Sequence, residues 1–137
     1  MMNDATRKQL FDDGLAIRRA VLGEDYVDNA IRSANEFNRP MQELVTEYCW
    51  GAVWARPTLT LKLRSLLNLA MLTALNRPRE LELHVRGALN NGVTQEEIRE
   101  VLMQAAIYCG VPAAMASFEI AQKVLAEHRA DKHQPDA

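Results

Sequence analysis

Hydrophobic positions along the chain recur at the three-to-four-residue spacing of an α-helix, and no stretch shows the sustained alternation of a strand. Glycines and prolines interrupt the pattern at Gly23, Pro40, Pro57, Pro78, Gly92 and Gly110. The pattern predicts helices over residues 4–21, 25–36, 40–55, 60–76, 79–91, 94–109 and 112–128. We therefore expect an all-α bundle of about six to seven helices, with a core over about residues 11–128 and a frayed polar tail over residues 129–137.

Two of the predicted helix boundaries carry specific signals. Thr94 is followed three residues later by Glu97, which is the spacing of a capping box at a helix start. Gly110 and Pro112 lie between two helical segments, where the glycine ends one helix and the proline opens the next.

The predicted helix over residues 60–76 is apolar on nearly every side. A helix of this kind has to be covered over most of its surface, and one small domain has few helices to cover it. We therefore expect the chain to form a homo-oligomer.

Length and charge narrow the classes of function. A chain of 137 residues is expected to form one domain, spanning residues 1–137. Its 16 basic and 18 acidic residues give a formal net charge of −2, which argues against a nucleic-acid-binding surface. The polar N-terminus does not resemble a signal peptide, and no apolar stretch is long enough to cross a membrane. A cytoplasmic protein without a membrane partner is expected.

The two cysteines, Cys49 and Cys109, lie in apolar surroundings far apart in the sequence. They form neither a CxxC pair nor a Cys/His ligand spacing, so no disulfide framework and no metal site are predicted. We interpret them as buried structural thiols.

The segment ELELHVRGALNNG, residues 80–92, carries polar groups at helical spacing. Positions four apart share a helix face, so Glu80, His84, Gly87 and Asn91 are expected to form one stripe. A carboxylate beside an imidazole can orient it, raise its pKa and let it donate a proton at neutral pH. Glu–His pairs are also common on the solvent faces of helices, and the spacing alone does not separate the two interpretations.

A second cluster is YCWGAVWARPTL, residues 48–59, where Trp50 and Trp54 share a helix face. Two tryptophans at this spacing usually anchor a core or an interface. Arg56 follows them, and Arg64 lies within the apolar helix. Because an unpaired buried charge is costly, Arg64 should meet either a carboxylate such as Glu80 or Glu47, or an anionic ligand.

Gln104 and Tyr108 form a polar line four residues apart near the end of a predicted helix. A solvent or intersubunit contact is the simpler interpretation of this line, and a contact with a ligand is the alternative.

Taken together, these segments resemble the carboxymuconolactone decarboxylase family. The residues that carry the resemblance are WGxxWxRP at 50–57, RSLLxLAM at 64–71, ELxLHVRxAxNNGVTxEEI at 80–98 and EVLMQxAIYCGVPAA at 100–114. The resemblance implies a helical fold of the alkylhydroperoxidase D type, assembled as a hexamer, with a trimer as the alternative. The redox branch of the family uses CxxC, whereas this sequence has Arg77 and Glu80 at those positions, so thiol peroxidase activity is not expected.

The resemblance also implies a reaction: cofactor-free decarboxylation of 4-carboxymuconolactone to the β-ketoadipate enol-lactone, in protocatechuate catabolism. The small-molecule partner is then a lactone dicarboxylate, and no metal or organic cofactor is needed. We expect His84, oriented by Glu80, to stabilise the developing oxyanion and supply a proton. Residues expected to bind or enclose the substrate are Arg56, Arg64, Arg86, Trp50, Trp54, Asn91 and Tyr108. The alternative is an oligomeric protein of the same fold that binds a ligand without this chemistry, or that acts on another substrate.

Overall fold

All regular structure in residues 2–133, the part of the chain that the computed structural model describes, is helical. The elements are α1 (Asp4–Leu22), α2 (Glu24–Arg32), α3 (Arg39–Leu44), a π-helix (Val45–Trp54), α4 (Leu61–Ala74), α5 (Pro78–Asn90), α6 (Gln95–Cys109) and α7 (Val111–Lys132). The predicted all-α fold of the alkylhydroperoxidase D type is thereby confirmed in its helical composition. Within these residues, no helix combines the length and the apolarity needed to span a membrane.

Three of the predicted helices differ from the observed elements in type or in length. The helix predicted over residues 40–55 is α-helical only up to Leu44 and continues as a π-helix. The helix predicted over residues 25–36 ends at Arg32, and a turn follows it. The last helix continues to Lys132, into the tail expected to fray, while residues 134–137 of that tail lie outside the described part.

The chain divides after Leu61 into two compact units. The first contains α1, α2, α3 and the π-helix, and the second contains nearly all of α4 together with α5, α6 and α7. The expectation of a single domain stays a prediction, because compactness does not establish whether either unit folds alone.

In the first unit, α1 and the π-helix approach each other backbone to backbone. A Cβ atom added to Gly14 of α1 would lie 2.0 Å from the carbonyl oxygen of Thr46, and one added to Gly51 would lie 2.2 Å from that of Leu10. Only glycine permits a contact this close. Arg18 adds a hydrogen bond of 3.1 Å from its guanidinium to the Thr46 hydroxyl. The two glycines therefore determine how closely α1 packs on the π-helix.

The core of the second unit is formed by the inner faces of α4, α5, α6 and α7. It contains Leu69, Leu81, Val85, Ala88, Val93, Ile98, Leu102, Ala121 and Val124, each at most 3% exposed. A buried hydrogen bond of 2.8 Å joins the hydroxyls of Thr73 and Ser117. This core holds one side of α5 in place, and with it the stripe that contains His84.

The predicted start of α6 is confirmed as a capping box. The Thr94 hydroxyl accepts a hydrogen bond of 3.1 Å from the Glu97 amide, and the Glu97 carboxylate accepts one of 3.0 Å from the Thr94 amide. Gly92, in the turn after α5, has φ of 86°, a backbone conformation that L side chains rarely adopt. The local sequence therefore determines where α5 ends and α6 begins.

Candidate active site

The polar stripe predicted on α5 is present in the second unit. Successive residues are about 100° apart around a helix, so Glu80, His84, Gly87 and Asn91 lie along one side of α5. Glu80 is exposed, His84 and Asn91 are half-buried, and Gly87 is buried. The stripe thus runs beside the core residues of α5, and its single carboxylate, that of Glu80, is exposed to solvent.

Two side-chain hydrogen bonds join this stripe to α4. Nδ2 of Asn68 lies 3.4 Å from Nδ1 of His84, and Nδ2 of Asn91 donates to the hydroxyl of Ser65 over 2.9 Å. Ser65 is fully buried, and a neutral hydrogen bond of this kind contributes about 1 kcal/mol to stability. Because α4 contributes to both bonds, it forms the second wall of the candidate site.

Asn68 and Ser65 were missed by the sequence reasoning, although the sequence contains a signal for both. They are uncharged polar residues inside the apolar run RSLLNLAM, residues 64–71. A buried or half-buried polar side chain needs a hydrogen-bond partner, so both positions pointed to a polar neighbour on another helix.

Arg64 lies one turn before Asn68 on α4, and its side chain is half-buried. Residues four apart share a helix face, so Arg64 and Asn68 lie on the same side of α4. Glu47, one of the two carboxylates considered as its partner, forms an ion pair with Arg7 over 3.4 Å within the first unit. We call the region where these sides of α4 and α5 meet, with Arg64, Asn68 and His84, the α4–α5 groove; it carries a guanidinium, an amide and an imidazole within the second unit.

Burial lowers the pKa of His84, and the negative charge of Glu80 opposes only part of this effect. The expected effect of Glu80, to raise the pKa of His84, is present, but burial outweighs it and the net shift is downward. The reason is that His84 is substantially desolvated, while Glu80 remains in water, where its charge is screened. A neutral imidazole is the resting form of His84.

The lowered pKa of His84 predicts how the free energy of unfolding changes with pH. The unfolded chain, with a histidine pKa of about 6.5, binds more protons than the folded protein as the pH falls below that value. The stabilisation from neutral His84 is complete above this pKa and is lost as the pH falls. The free energy of unfolding of the wild type should therefore decrease more steeply between about pH 7.5 and 5 than that of His84→Gln, as measured by urea denaturation. Equal slopes in the two proteins would contradict the lowered pKa.

Arg86 lies on another side of α5 and is engaged by carboxylates. It forms ion pairs with Glu127 of α7 and with Glu82, the latter over 3.4 Å, and these bonds raise the pKa of Arg86. A guanidinium that already faces two carboxylates has little charge left for a substrate anion. Arg86 is therefore bound to carboxylates of the protein itself, and its role in binding a substrate carboxylate stays a prediction.

The predicted tryptophan cluster lies in the first unit. Trp50 and Trp54 are 3% and 5% exposed, with ring centroids 4.7 Å apart and ring planes inclined at 31°. Such a pair contributes about 0.5–1.5 kcal/mol beyond its buried area, so an anchoring role is confirmed. Arg56 follows the π-helix and is exposed. Roles of these three residues in binding a substrate stay predictions.

Tyr108 and the cysteines lie at the surface of the chain. Tyr108 is 83% exposed near the end of α6, so its role as a substrate-binding residue stays a prediction. Cys49 and Cys109 are both exposed, so the interpretation as buried thiols was wrong. Although Cys49 reaches solvent, the surrounding protein shields it enough to raise the pKa of its thiol. Helical periodicity alone could not place these cysteines, because it does not show which face of a helix the other helices cover.

Two cavities, one in each unit, are lined by residues other than those that join α4 to α5. One of about 400 Å³ in the first unit is lined by residues that include Arg7, Phe11 and Glu47. Another, of about 320 Å³ in the second unit, lies between α6 and α7 and is lined by residues that include Arg99, Phe118 and Arg129. Neither cavity is lined by His84 or Arg64. We therefore choose the candidate site from the side chains that α4 and α5 bring together and not from the cavities. Among residues 2–133, no group of three or more His, Cys, Asp or Glu side chains is arranged to hold a metal ion.

Comparison with known proteins gives consistent matches over most of the chain. The profile of the Carboxymuconolactone decarboxylase family matches residues 39–123. A nitrosuccinic acid decarboxylase of Metarhizium robertsii is 50% identical over 123 residues, which span 90% of this chain and 86% of the relative. A 4-carboxymuconolactone decarboxylase of Acinetobacter baylyi is 40% identical over 123 residues, which span 90% of each chain. The matched region includes all of α4 and α5.

Proposed function

The chain belongs to the carboxymuconolactone decarboxylase family and is a decarboxylase, and we propose that it removes CO2 from a small dicarboxylate without a cofactor. The observation that carries this proposal is the α4–α5 groove, in which half-buried His84 meets Asn68 while Arg64 lies one turn away. A guanidinium can bind the carboxylate that stays, and an imidazole N–H can stabilise the charge that develops when the other departs.

The first candidate substrate is 4-carboxymuconolactone. Its departing carboxylate is on a carbon from which electrons can move through a double bond to the lactone carbonyl. As the C–C bond to CO2 breaks, its electron pair forms a dienolate, and a proton from solvent then adds to carbon to give the β-ketoadipate enol-lactone. In this case the protein would act in protocatechuate catabolism, in the cytoplasm.

The second candidate substrate is nitrosuccinic acid, favoured by the 50% identity to a decarboxylase named for it. One of its carboxylates is on the carbon that bears the nitro group. When that carboxylate leaves as CO2, the electron pair of the broken bond moves onto the nitro oxygens as a nitronate, and a proton adds to the same carbon. Both substrates therefore provide their own electron sink and keep one carboxylate, so the same groove chemistry suits either.

The protein residues have separate tasks in this scheme. Neutral His84 donates a hydrogen bond to the oxyanion, because a neutral imidazole is a good donor but a poor acid. Arg64 binds the remaining carboxylate. Glu80, exposed one turn from His84, is placed to relay the solvent proton that enters the product. The role of proton donor predicted for His84 is thereby reassigned to solvent and Glu80.

The test is to supply purified protein with each substrate separately and to measure CO2 release and substrate loss. Turnover of one or both substrates supports the proposal, and the ratio of the two kcat/KM values identifies the preferred one. Binding of either compound without CO2 release would favour the alternative, a ligand-binding protein of the same fold. An Arg64→Lys variant should raise KM more than it lowers kcat, because it keeps the charge but loses the bidentate geometry.

We further propose that the protein is a homo-oligomer, a hexamer or a trimer. The support comes from four apolar side chains, each at least 46% exposed, that follow one another at four-residue spacing along α4 and at the residue just after it: Leu63, Leu67, Met71 and Leu75. A continuous apolar stripe is typical of a protein–protein contact. We expect sedimentation equilibrium at micromolar concentration to give a multiple of the 15.4 kDa chain mass. A stable 15.4 kDa species would contradict this proposal.

A further inference from the structure

We propose that Asn68 is a positioning residue that holds His84 in the neutral tautomer with its proton on Nε2. The inference rests on the proposed function for its catalytic meaning, because the oxyanion would accept that Nε2 hydrogen. Asn68 lies on α4, outside the α5 stripe, and its proposed role is to determine which ring nitrogen of His84 carries the proton.

The geometry of the contact supports this assignment. The amide nitrogen of Asn68 can only donate, and it faces Nδ1 of His84 at 3.4 Å. A donor opposite Nδ1 stabilises the ring whose Nδ1 has a lone pair, and repels the ring whose Nδ1 carries a hydrogen. The contact is at the long end of hydrogen-bond distances, yet two tautomers of similar energy need only a small bias.

The packing explains why the amide can hold this position. Asn68 is half-buried on α4, which restricts the rotamers that its side chain can adopt. The hydrogen bond from Asn91 to buried Ser65 joins the same two helices nearby, which limits sliding of α4 along α5. The amide is therefore held by the helix pair and does not have to be ordered by the substrate.

The charged groups around the ring are compatible with a neutral imidazole. Glu80 on α5 is exposed and offsets only part of the burial of His84. Arg64 is the charged residue nearest Asn68 along α4. Glu82 and Arg86, whose partners include Lys123 and Glu127 of α7, lie about 160° or more from His84 around α5.

The first experiment is 15N NMR of the uniformly labelled, substrate-free protein at a pH where His84 is neutral. The spectrum of His84→Gln identifies the His84 signals, since the chain has three histidines. We expect the shifts of a protonated Nε2 and an unprotonated Nδ1. A protonated Nδ1 in the wild type would overturn the proposal. This measurement needs no turnover, so it stands or fails independently of the proposed decarboxylation.

The second experiment changes the partner of Nδ1. In Asn68→Asp, a carboxylate that accepts a hydrogen bond replaces the donor, so the His84 proton should move to Nδ1 or the ring should become doubly protonated. Gln122→Glu, which adds the same charge at an exposed position of α7, should leave the His84 spectrum unchanged. If Asn68→Asp does not fold, Asn68→Leu should still show a loss of the Nε2–H preference. An unchanged tautomer in a folded Asn68 variant would overturn the proposal.

If the protein turns over a substrate, the kcat and KM of the same variants show whether Asn68 positions His84 for catalysis or only stabilises the fold. If the NMR spectrum of Asn68→Asp shows that the proton has moved to Nδ1, this variant should lower kcat by about tenfold with KM nearly unchanged, because the donor to the oxyanion is lost while the arginine that binds the substrate is kept. Equal kcat in Asn68→Asp and wild type would show that the tautomer does not matter to catalysis.

Discussion

Replacing His84 with alanine is expected to lower kcat/KM for the decarboxylated substrate by about 10²–10³-fold, the usual loss when one donor to a developing oxyanion is removed. In the α4–α5 groove the imidazole is half-buried, held at Nδ1 by Asn68 and neutral at rest. Its hydrogen bond strengthens as charge moves onto the carbonyl or nitro oxygen, so most of the loss should appear in kcat.

Two further variants make this result specific. His133→Ala removes an exposed histidine just beyond α7 and should leave turnover unchanged. His84→Gln restores an N–H donor without the imidazole and should recover part of the lost kcat. Unchanged turnover in folded His84→Ala would remove His84 from the mechanism. A loss in His84→Ala that His84→Gln recovers in full would show that only the donor matters.

Gly14→Ala is expected to destabilise the protein by about 3 kcal/mol, at the upper end of the cost of overpacking. The new Cβ would lie 2.0 Å from the carbonyl oxygen of Thr46 and 2.7 Å from the amide nitrogen of Gly51. Both are backbone atoms, so neither can rotate away, and α1 has to move off the π-helix. The free energy of unfolding from urea denaturation measures the effect.

Helix propensity and the steric clash predict opposite signs for the change in the free energy of unfolding of Gly14→Ala, and a control variant in α1 measures propensity alone. Glycine inside a helix is about 1 kcal/mol less favourable than alanine, so Gly14→Ala would stabilise α1 if propensity alone decided. Ala16→Gly, at an exposed position of the same helix, should cost about that amount. A stabilised Gly14→Ala protein would show that the close approach of α1 to the π-helix does not occur.

Much of the secondary structure was predictable because it depends on neighbours in the sequence. Thr94 and Glu97 cap α6 through bonds that span three residues, and Gly92 has the positive φ that glycine adopts readily. The α5 stripe was predictable for the same reason, since residues four apart share a helix face.

The π-helix and the placement of the cysteines were not predictable in this way. The segment Val45–Trp54 has a helical pattern of apolar residues, and its π geometry coincides with the contact of Gly51 with α1, which involves residues about forty positions apart. Cys49 and Cys109 were expected to be buried from their apolar neighbours in the sequence, yet both are exposed. Which face of a helix is covered depends on the other helices that pack against it.

By itself, the sequence determined the all-α class, the helix boundaries that have local caps, and the stripe on α5 that contains Glu80 and His84. Only the tertiary structure decided that Asn68 of α4 meets His84, that Arg86 is engaged by carboxylates, and that burial lowers the His84 pKa. The physical reason is that capping and helical periodicity act over a few residues. Desolvation and contacts between helices depend on groups that only folding brings together.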